Sequence, residues 1–142
     1  MESAAFLLVI AIVVAGYIYG QRRAKREIEK RFSGRERLSL EDVCNLFLRE
    51  DTHDQNAIGE IIMHVAHELS VDPAFLRPDD RFDKELRPAR GWEFDSGVTT
   101  LMLDLKDQAI RQGRTLDSST IKTLDDYVHE LLNLTDQTLQ PK

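Results

Sequence analysis

The stretch "HELSVDPAFLRPDDRFDKEL", residues 67–86, marks the place where a helical pattern stops and a proline-containing loop begins. The apolar residues that precede and enter it follow the spacing of an amphipathic helix: Ile58, Ile61, Ile62, Val65 and Leu69. Three prolines then argue against continuous helix up to residue 88. So long a loop is unusual in a small domain and is either functional or packed by its own side chains. The apolar residues that could pack it are Phe75, Leu76, Phe82, Leu86, Trp92 and Phe94.

The same helical period recurs in three other segments. The pattern predicts helices over residues 40–48, 98–109 and 124–132. Ser39 with Asp42 and Thr123 with Asp126 are placed as capping pairs for the first and last of them. Gly113 is a stop signal for the middle one, and "DSST" at 117–120 can form one helical turn. No period-two strand is evident, so the sequence predicts an all-α bundle.

The N-terminus carries the most apolar segment, "AAFLLVIAIVVAGYIY" at residues 4–19, followed at once by "GQRRAKR". Its sixteen residues span roughly 24 Å as a helix, and Tyr17 and Tyr19 can extend that towards the roughly 30 Å of a membrane core. A cleaved signal peptide is the alternative. Signal peptides carry positive charge before the apolar run, whereas here the only charged residue before the run is Glu2 and the basic cluster follows it. By the positive-inside rule, we expect a single-pass membrane protein with a cytoplasmic C-terminal domain.

Charge divides the remainder of the chain. Residues 21–37 contain eight Lys/Arg and three Glu, a net charge of +5, whereas residues 38–142 have a net charge of −10. We therefore predict a transmembrane anchor over 1–20, a basic juxtamembrane stalk attracted to anionic headgroups over 21–37, a helical domain over 38–135 and a tail over 136–142. An acidic domain lacks the basic surface that nucleic acid binding requires, and it favours basic protein partners.

Catalytic and metal chemistry find little support in the sequence. Cys44 is the only cysteine, so no internal disulfide can form, and its place on an apolar stripe predicts core packing. His64 and His67 fall on the polar side of their helix without a third ligand. No combination of nucleophile, base and orienting group is recognisable. We predict that the protein is not an enzyme and holds no metal.

The order and spacing of these pieces resemble the acyl carrier protein family over residues 58–132. The resemblance rests on "VDPAFLRPDDRF", on "DS" at 95–96 opening an amphipathic helix, and on "IKTLDDYV" at 121–128. It implies an acyl-carrier-like bundle of three main helices plus a short one, here with an extra N-terminal helix behind the membrane segment. In that family the serine of an Asp-Ser-Leu motif carries 4′-phosphopantetheine, whose thiol holds acyl groups as thioesters.

The resemblance implies Ser96 as the attachment site, with Asp95 helping to position a phosphopantetheinyl transferase and its metal. The chain departs from the family pattern at Gly97, where the family has leucine, and in "RPARGWEF" at 87–94, which looks like an insertion. A phosphodiester on Ser96 would lie at a helix N-terminus, where N–H groups and the macrodipole favour anions. Ser96 is equally well suited to be a plain N-cap.

Two functions remain open at this point. In the first, the protein is a membrane-anchored carrier that presents acyl thioesters on Ser96 to acyl-transferring enzymes. In the second, the carrier-like fold is unmodified and is a membrane-tethered interaction module that binds proteins through its acidic surface and the "RPARGWEF" loop. Gly97 favours the second function, and the retained Asp95–Ser96 pair favours the first.

Overall fold

The computed structural model describes residues 2–49, 54–89 and 97–138, and the chain is all-helical within these ranges. Its helices are α1 (Glu2–Phe32), α2 (Leu40–Leu46), α3 (Gln55–Leu69), α4 (Gly97–Arg111) and α5 (Leu124–Thr138). Single 3-10 turns lie at Pro73–Phe75 and Ser118–Thr120. The predicted helical bundle is confirmed, because α2 to α5 coincide with the four helices that the hydrophobic period indicates.

Side-chain caps fix where these helices begin. The Ser39 side chain accepts a hydrogen bond from the Asp42 amide at 3.1 Å, and the Thr123 hydroxyl accepts one from the Asp126 amide at 3.2 Å. Each bond satisfies an amide that has no partner within its helix. Gly113 has φ +69°, the left-handed conformation that ends a helix. Both predicted capping pairs and the predicted stop are therefore confirmed.

The core of the bundle surrounds α3, which packs against α2, α4 and α5. Burying one large apolar side chain stabilises a fold by about 1.5–3 kcal/mol, so this cluster is the main source of stability. The predicted core position of Cys44 is confirmed, and burial raises the pKa of its thiol. The largest fully buried side chains include Phe47, Ile58, Ile62, Val65, Leu101, Leu105, Leu124, Tyr127 and Val128.

The loop after α3 closes over this core, as the sequence predicts. Leu76, Phe82 and Leu86 are buried within the core cluster. Phe75 is partly buried and packs against the same cluster, whereas Trp92 and Phe94 lie outside the described residues. At its far end the loop pairs with the start of α5, where the Phe82 amide donates to the Lys122 carbonyl at 3.1 Å. Two of the three sequence pieces on which the family resemblance rests, "VDPAFLRPDDRF" and "IKTLDDYV", are thus in direct contact.

A buried ion pair joins this loop to the segment that follows α1. Arg35 Nη2 lies 2.6 Å from Asp80 Oδ1, and Nη1 donates to Oδ2 at 2.9 Å. The Asp80 side chain is only 1% exposed and also accepts from the Arg77 amide at 2.8 Å. The hydrogen bond to Asp80 is the main cause that raises the pKa of Arg35. A carboxylate buried this deeply needs such partners, because an unpaired charge there would be very costly.

The predicted single-pass membrane localisation is wrong. Among the residues that the structure describes, no helix is sufficiently long and apolar to cross a membrane. The apolar run at 4–19 is short of a membrane core, and α1 continues from it without a break into the basic residues that follow. Large apolar side chains described in this run, from Val9 to Tyr19, are exposed in the structure.

Candidate functional site at the start of α4

The predicted attachment residues, Asp95 and Ser96, lie outside the described residues. The chain is described up to Ala89 and again from Gly97, which is the first residue of α4. The described residues nearest to Ser96 along the chain are therefore Ala89 and Gly97, and the residues that surround these two define the candidate site.

Gly97 lies against the backbone at the end of α3. A Cβ at this position would stand 2.5 Å from the carbonyl carbon of Glu68 and 3.2 Å from the Leu69 amide nitrogen, and would overlap the Glu68 carbonyl oxygen. Backbone atoms within a helix cannot move aside as the end of a flexible side chain can. The glycine is therefore explained by the close approach of α4 to α3. Sequence reasoning missed this, because nothing in the periodicity shows which residues of two helices meet.

A cavity of about 260 Å³ opens beside Gly97. Its walls come from α1, from the last residues of α3 and from the loop at 85–89. Both Ala89 and Gly97 line it, so the segment that contains Asp95 and Ser96 starts and ends at its wall. The apolar members of the lining are Ala24, Ile28, Leu69, Val71, Leu86, Pro88, Ala89 and Val98.

Arg31 fixes the α1 wall of this cavity. Its Nη1 donates to the backbone carbonyls of Glu85, at 3.4 Å, and of Arg87, while Nη2 donates to the Pro88 carbonyl at 3.4 Å. Nη2 also pairs with Glu27 of the same helix at 2.8 Å. One mostly buried guanidinium thus joins α1 to the loop that leads towards Ser96. Next to it, Phe32 of α1 is a member of the buried core cluster.

A second cavity, of about 780 Å³, lies between α1 and the end of α3. It shares Lys25, Ile28, Ser70 and Val71 with the first cavity, so the two adjoin along α1. Ser70, the residue that ends α3, has φ +53°, a conformation uncommon for residues other than glycine. Its amide donates to the His67 carbonyl at 3.1 Å, which satisfies one of the free carbonyls at the helix end.

Charged groups of both signs line the smaller cavity. Lys25 and Arg87 contribute positive charge, and Glu68 and Glu85 contribute negative charge. The Arg81 amide donates to Glu85 Oε2 at 3.0 Å, and this bond is the main cause that lowers the pKa of Glu85. Glu85 therefore remains ionised at neutral pH.

The two histidines considered as metal ligands lie on the exposed face of α3, and His67 also lines the 780 Å³ cavity. His64 and His67 are exposed, and His64 Nε2 is 3.5 Å from Asp104 Oδ2. Across residues 2–49, 54–89 and 97–138, no group of three His, Cys, Asp or Glu side chains is arranged to hold a metal ion. The prediction that the protein is not an enzyme stays a prediction.

Comparisons with known proteins assign the chain to no family. The chain matches no protein-family model, no curated protein and no solved structure.

Proposed function

We propose that this chain is an acyl-carrier-like protein that holds an acyl group as a thioester on a 4′-phosphopantetheine arm at Ser96. The observation that carries the proposal is the position of one cavity. The segment that contains Asp95 and Ser96 is flanked by Ala89 and Gly97, and both of these line the cavity at the start of α4. Because Gly97 directly follows Ser96, a chemical group on Ser96 would be attached one residue along the chain from the wall of this open-sided cavity.

The helical topology supports this proposal. The resemblance to acyl carrier proteins implies a first helix that runs into a long loop, a serine at the start of the second helix, and a closing helix. Here the loop pairs with the start of α5 through Phe82 and Lys122, and Leu124 donates its amide to the Asp80 carbonyl at 2.8 Å. Ser96 directly precedes the first residue of α4.

The residues around this position fit a phosphodiester. The first amides of α4 have no helical carbonyl to bind, and the positive end of the helix dipole lies there. In the lining of the adjacent cavity, the positive charges of Lys25 and Arg87 are balanced by the negative charges of Glu68 and Glu85, so the favourable electrostatics come from the helix N-terminus. When bound, the prosthetic group supplies the thiol that forms the thioester. In this proposal Asp95 helps the modifying enzyme and its metal to bind.

The partners of such a carrier are a phosphopantetheinyl transferase and acyl-transferring enzymes. Residues 38–142 have a net charge of −10, which steers association with basic surfaces. On α4, the exposed side chains of Asp104 and Asp107 lie near the exposed apolar side chains of Leu103 and Ile110. Lys106 and Arg111 are exposed on the same helix, so the attraction to a basic partner comes from the acidic domain as a whole, and α4 contributes exposed apolar residues to the docking surface.

The packing of Gly97 favours a second candidate function, an unmodified interaction module. A Cβ at position 97 would meet the α3 backbone, so a leucine cannot be presented there for a modifying enzyme to read. In this alternative the acidic surface and the exposed apolar residues of α4 bind a protein partner, and Ser96 carries no prosthetic group.

Loading the protein with an acyl group distinguishes the carrier function from the unmodified interaction module. The purified 142-residue chain is incubated with octanoyl-CoA and a broad-specificity phosphopantetheinyl transferase, and then with hydroxylamine. A carrier gains one octanoyl-phosphopantetheine, and hydroxylamine releases octanoyl hydroxamate and leaves the free thiol. Ser118 belongs to the other Asp-Ser pair of the chain, so Ser118→Ala should load normally and Ser96→Ala should not load. Equal loading of the two variants would exclude Ser96 as the attachment site.

A further inference from the structure

We infer that the cavity between α1, the end of α3 and the loop at 85–89 is a binding site for a short hydrocarbon chain. That this chain is the acyl group on Ser96 rests on the proposed function. The site itself consists only of described residues, and α1, which supplies one wall, lies N-terminal to the region that resembles carrier proteins.

The chemistry of the walls indicates the class of ligand. Leu69, Val71, Leu86 and Ala89 are buried, and each presents an apolar surface to the space. Apolar residues make up most of the lining, beside four charged ones, and pockets of this composition bind small, largely apolar ligands. A volume of about 260 Å³ falls just below the roughly 300–1,000 Å³ of pockets for drug-sized molecules. The site therefore suits a short chain.

Two residues of α1 limit the volume of this cavity. Ala24 and Ile28 are one helical turn apart and both line the cavity. Because alanine is small, a large side chain at position 24 would occupy the volume meant for the ligand. Arg31, through its bonds to the carbonyls of Glu85, Arg87 and Pro88, connects α1 to the loop on the opposite wall.

Lys25 offers a positive charge to the carboxylate of a free ligand, in a lining that also contains the carboxylates of Glu68 and Glu85. Lys25 lines both the 260 Å³ cavity and the adjoining 780 Å³ cavity. A fatty acid with its hydrocarbon chain in the smaller cavity would thus have a cation available for its carboxylate. Octanoate, a short chain with one carboxylate, is a suitable probe.

Octanoate binding to the unmodified full chain tests the site. We expect saturable binding by isothermal titration calorimetry, and Ala24→Trp should weaken it at least about tenfold. Ala11, on the same helix, is exposed and does not line the cavity, so Ala11→Trp is a matched control that should bind like the unchanged protein. Since exposed apolar residues of α1 also attract hydrocarbon, only the affinity lost in Ala24→Trp is assigned to the cavity.

A second variant keeps the test valid if Ala24→Trp disturbs the fold. Ile28→Ala enlarges the cavity and should shift the preference from octanoate towards decanoate. Equal octanoate affinity in Ala24→Trp and Ala11→Trp, or an unchanged chain-length preference in Ile28→Ala, would overturn the inference. The measurement needs no modification of Ser96. A failure of loading would therefore contradict the proposed function alone, and a failure of octanoate binding would contradict this site alone.

Discussion

The backbone of Gly97, at the start of α4, meets the carbonyl group of Glu68, in the last turn of α3, with no room for a side chain between them. This contact sets the position of the residue that follows Ser96. It also gives a structural reason for the glycine at the one place where the motif departs from the Asp-Ser-Leu of carrier proteins.

Restoring leucine at this position should therefore destabilise the protein. For Gly97→Leu we expect the free energy of unfolding to fall by about 1–3 kcal/mol, because the side chain must displace the α3 backbone. Better helix propensity offsets up to about 1 kcal/mol of this loss. Gly34, where an added Cβ would meet nothing within 4 Å, is the matched control. Equal urea midpoints for Gly97→Leu and Gly34→Leu would contradict the packing.

The buried carboxylate of Asp80 should be sensitive to loss of its charge. Asp80→Asn leaves Arg35 without its buried partner, and breaking such a pair costs about 3–5 kcal/mol when both groups are buried. Since Arg35 is 26% exposed, we expect a smaller loss of about 2 kcal/mol. The neighbouring exposed Asp79 serves as control, and Asp79→Asn should change stability by less than about 0.5 kcal/mol. The measurement is urea denaturation followed by circular dichroism.

Removing the hydroxyl of Tyr127 should increase the stability of the protein, unlike the two substitutions above. The hydroxyl is buried and makes no hydrogen bond within the described residues, and burial is the main cause that raises its pKa. Because an unsatisfied buried hydroxyl costs about 1–3 kcal/mol, Tyr127→Phe should raise the free energy of unfolding by about 1 kcal/mol. The ring can keep its edge-to-face contact with Phe82. A lower melting temperature for Tyr127→Phe would show that the hydroxyl has a partner.

The cap on α5 should make stability depend on pH. Asp126 has a lowered pKa: burial acts to raise it, but hydrogen bonds from the amides of Thr123 and Lys122 outweigh that effect. A carboxyl whose pKa is lower in the folded state stabilises the fold above its unfolded pKa, near 3.8. This stabilisation is lost as pH falls from about 5 through the folded value.

We expect Asp126→Ala to cost about 1 kcal/mol at pH 7 and to reduce the loss of stability in acid. The exposed Asp107 on α4 gives the control variant Asp107→Ala. Urea unfolding at pH 7, 5 and 3.5 checks both statements. A stability difference between Asp126→Ala and the unchanged protein that is the same at all three pH values would contradict the role of the ionised cap.

The sequence predicts what depends on local pattern. The hydrophobic period locates α2 to α5, and side-chain chemistry locates the caps at Ser39 and Thr123. Contacts between residues that are far apart in the sequence cannot be predicted from the local pattern. Neither the contact of Gly97 with Glu68 nor the pairing of Arg35 with Asp80 has a signal in the spacing of residues.

The same limit applies to α1. Hydropathy alone led to the wrong prediction of a membrane-spanning segment. Hydropathy also gives no sign that the basic half of this helix, through Ala24, Ile28 and Arg31, forms one wall of a cavity. Such a wall depends on which loop the helix meets in three dimensions.

The intact mass of the 142-residue chain, after co-expression with a broad-specificity phosphopantetheinyl transferase, tests the central claim most directly. We predict an added mass of one phosphopantetheine that is lost in Ser96→Ala and kept in Ser118→Ala. An unmodified mass, from cells in which the same transferase modifies a known carrier, would contradict a carrier function and favour the interaction module.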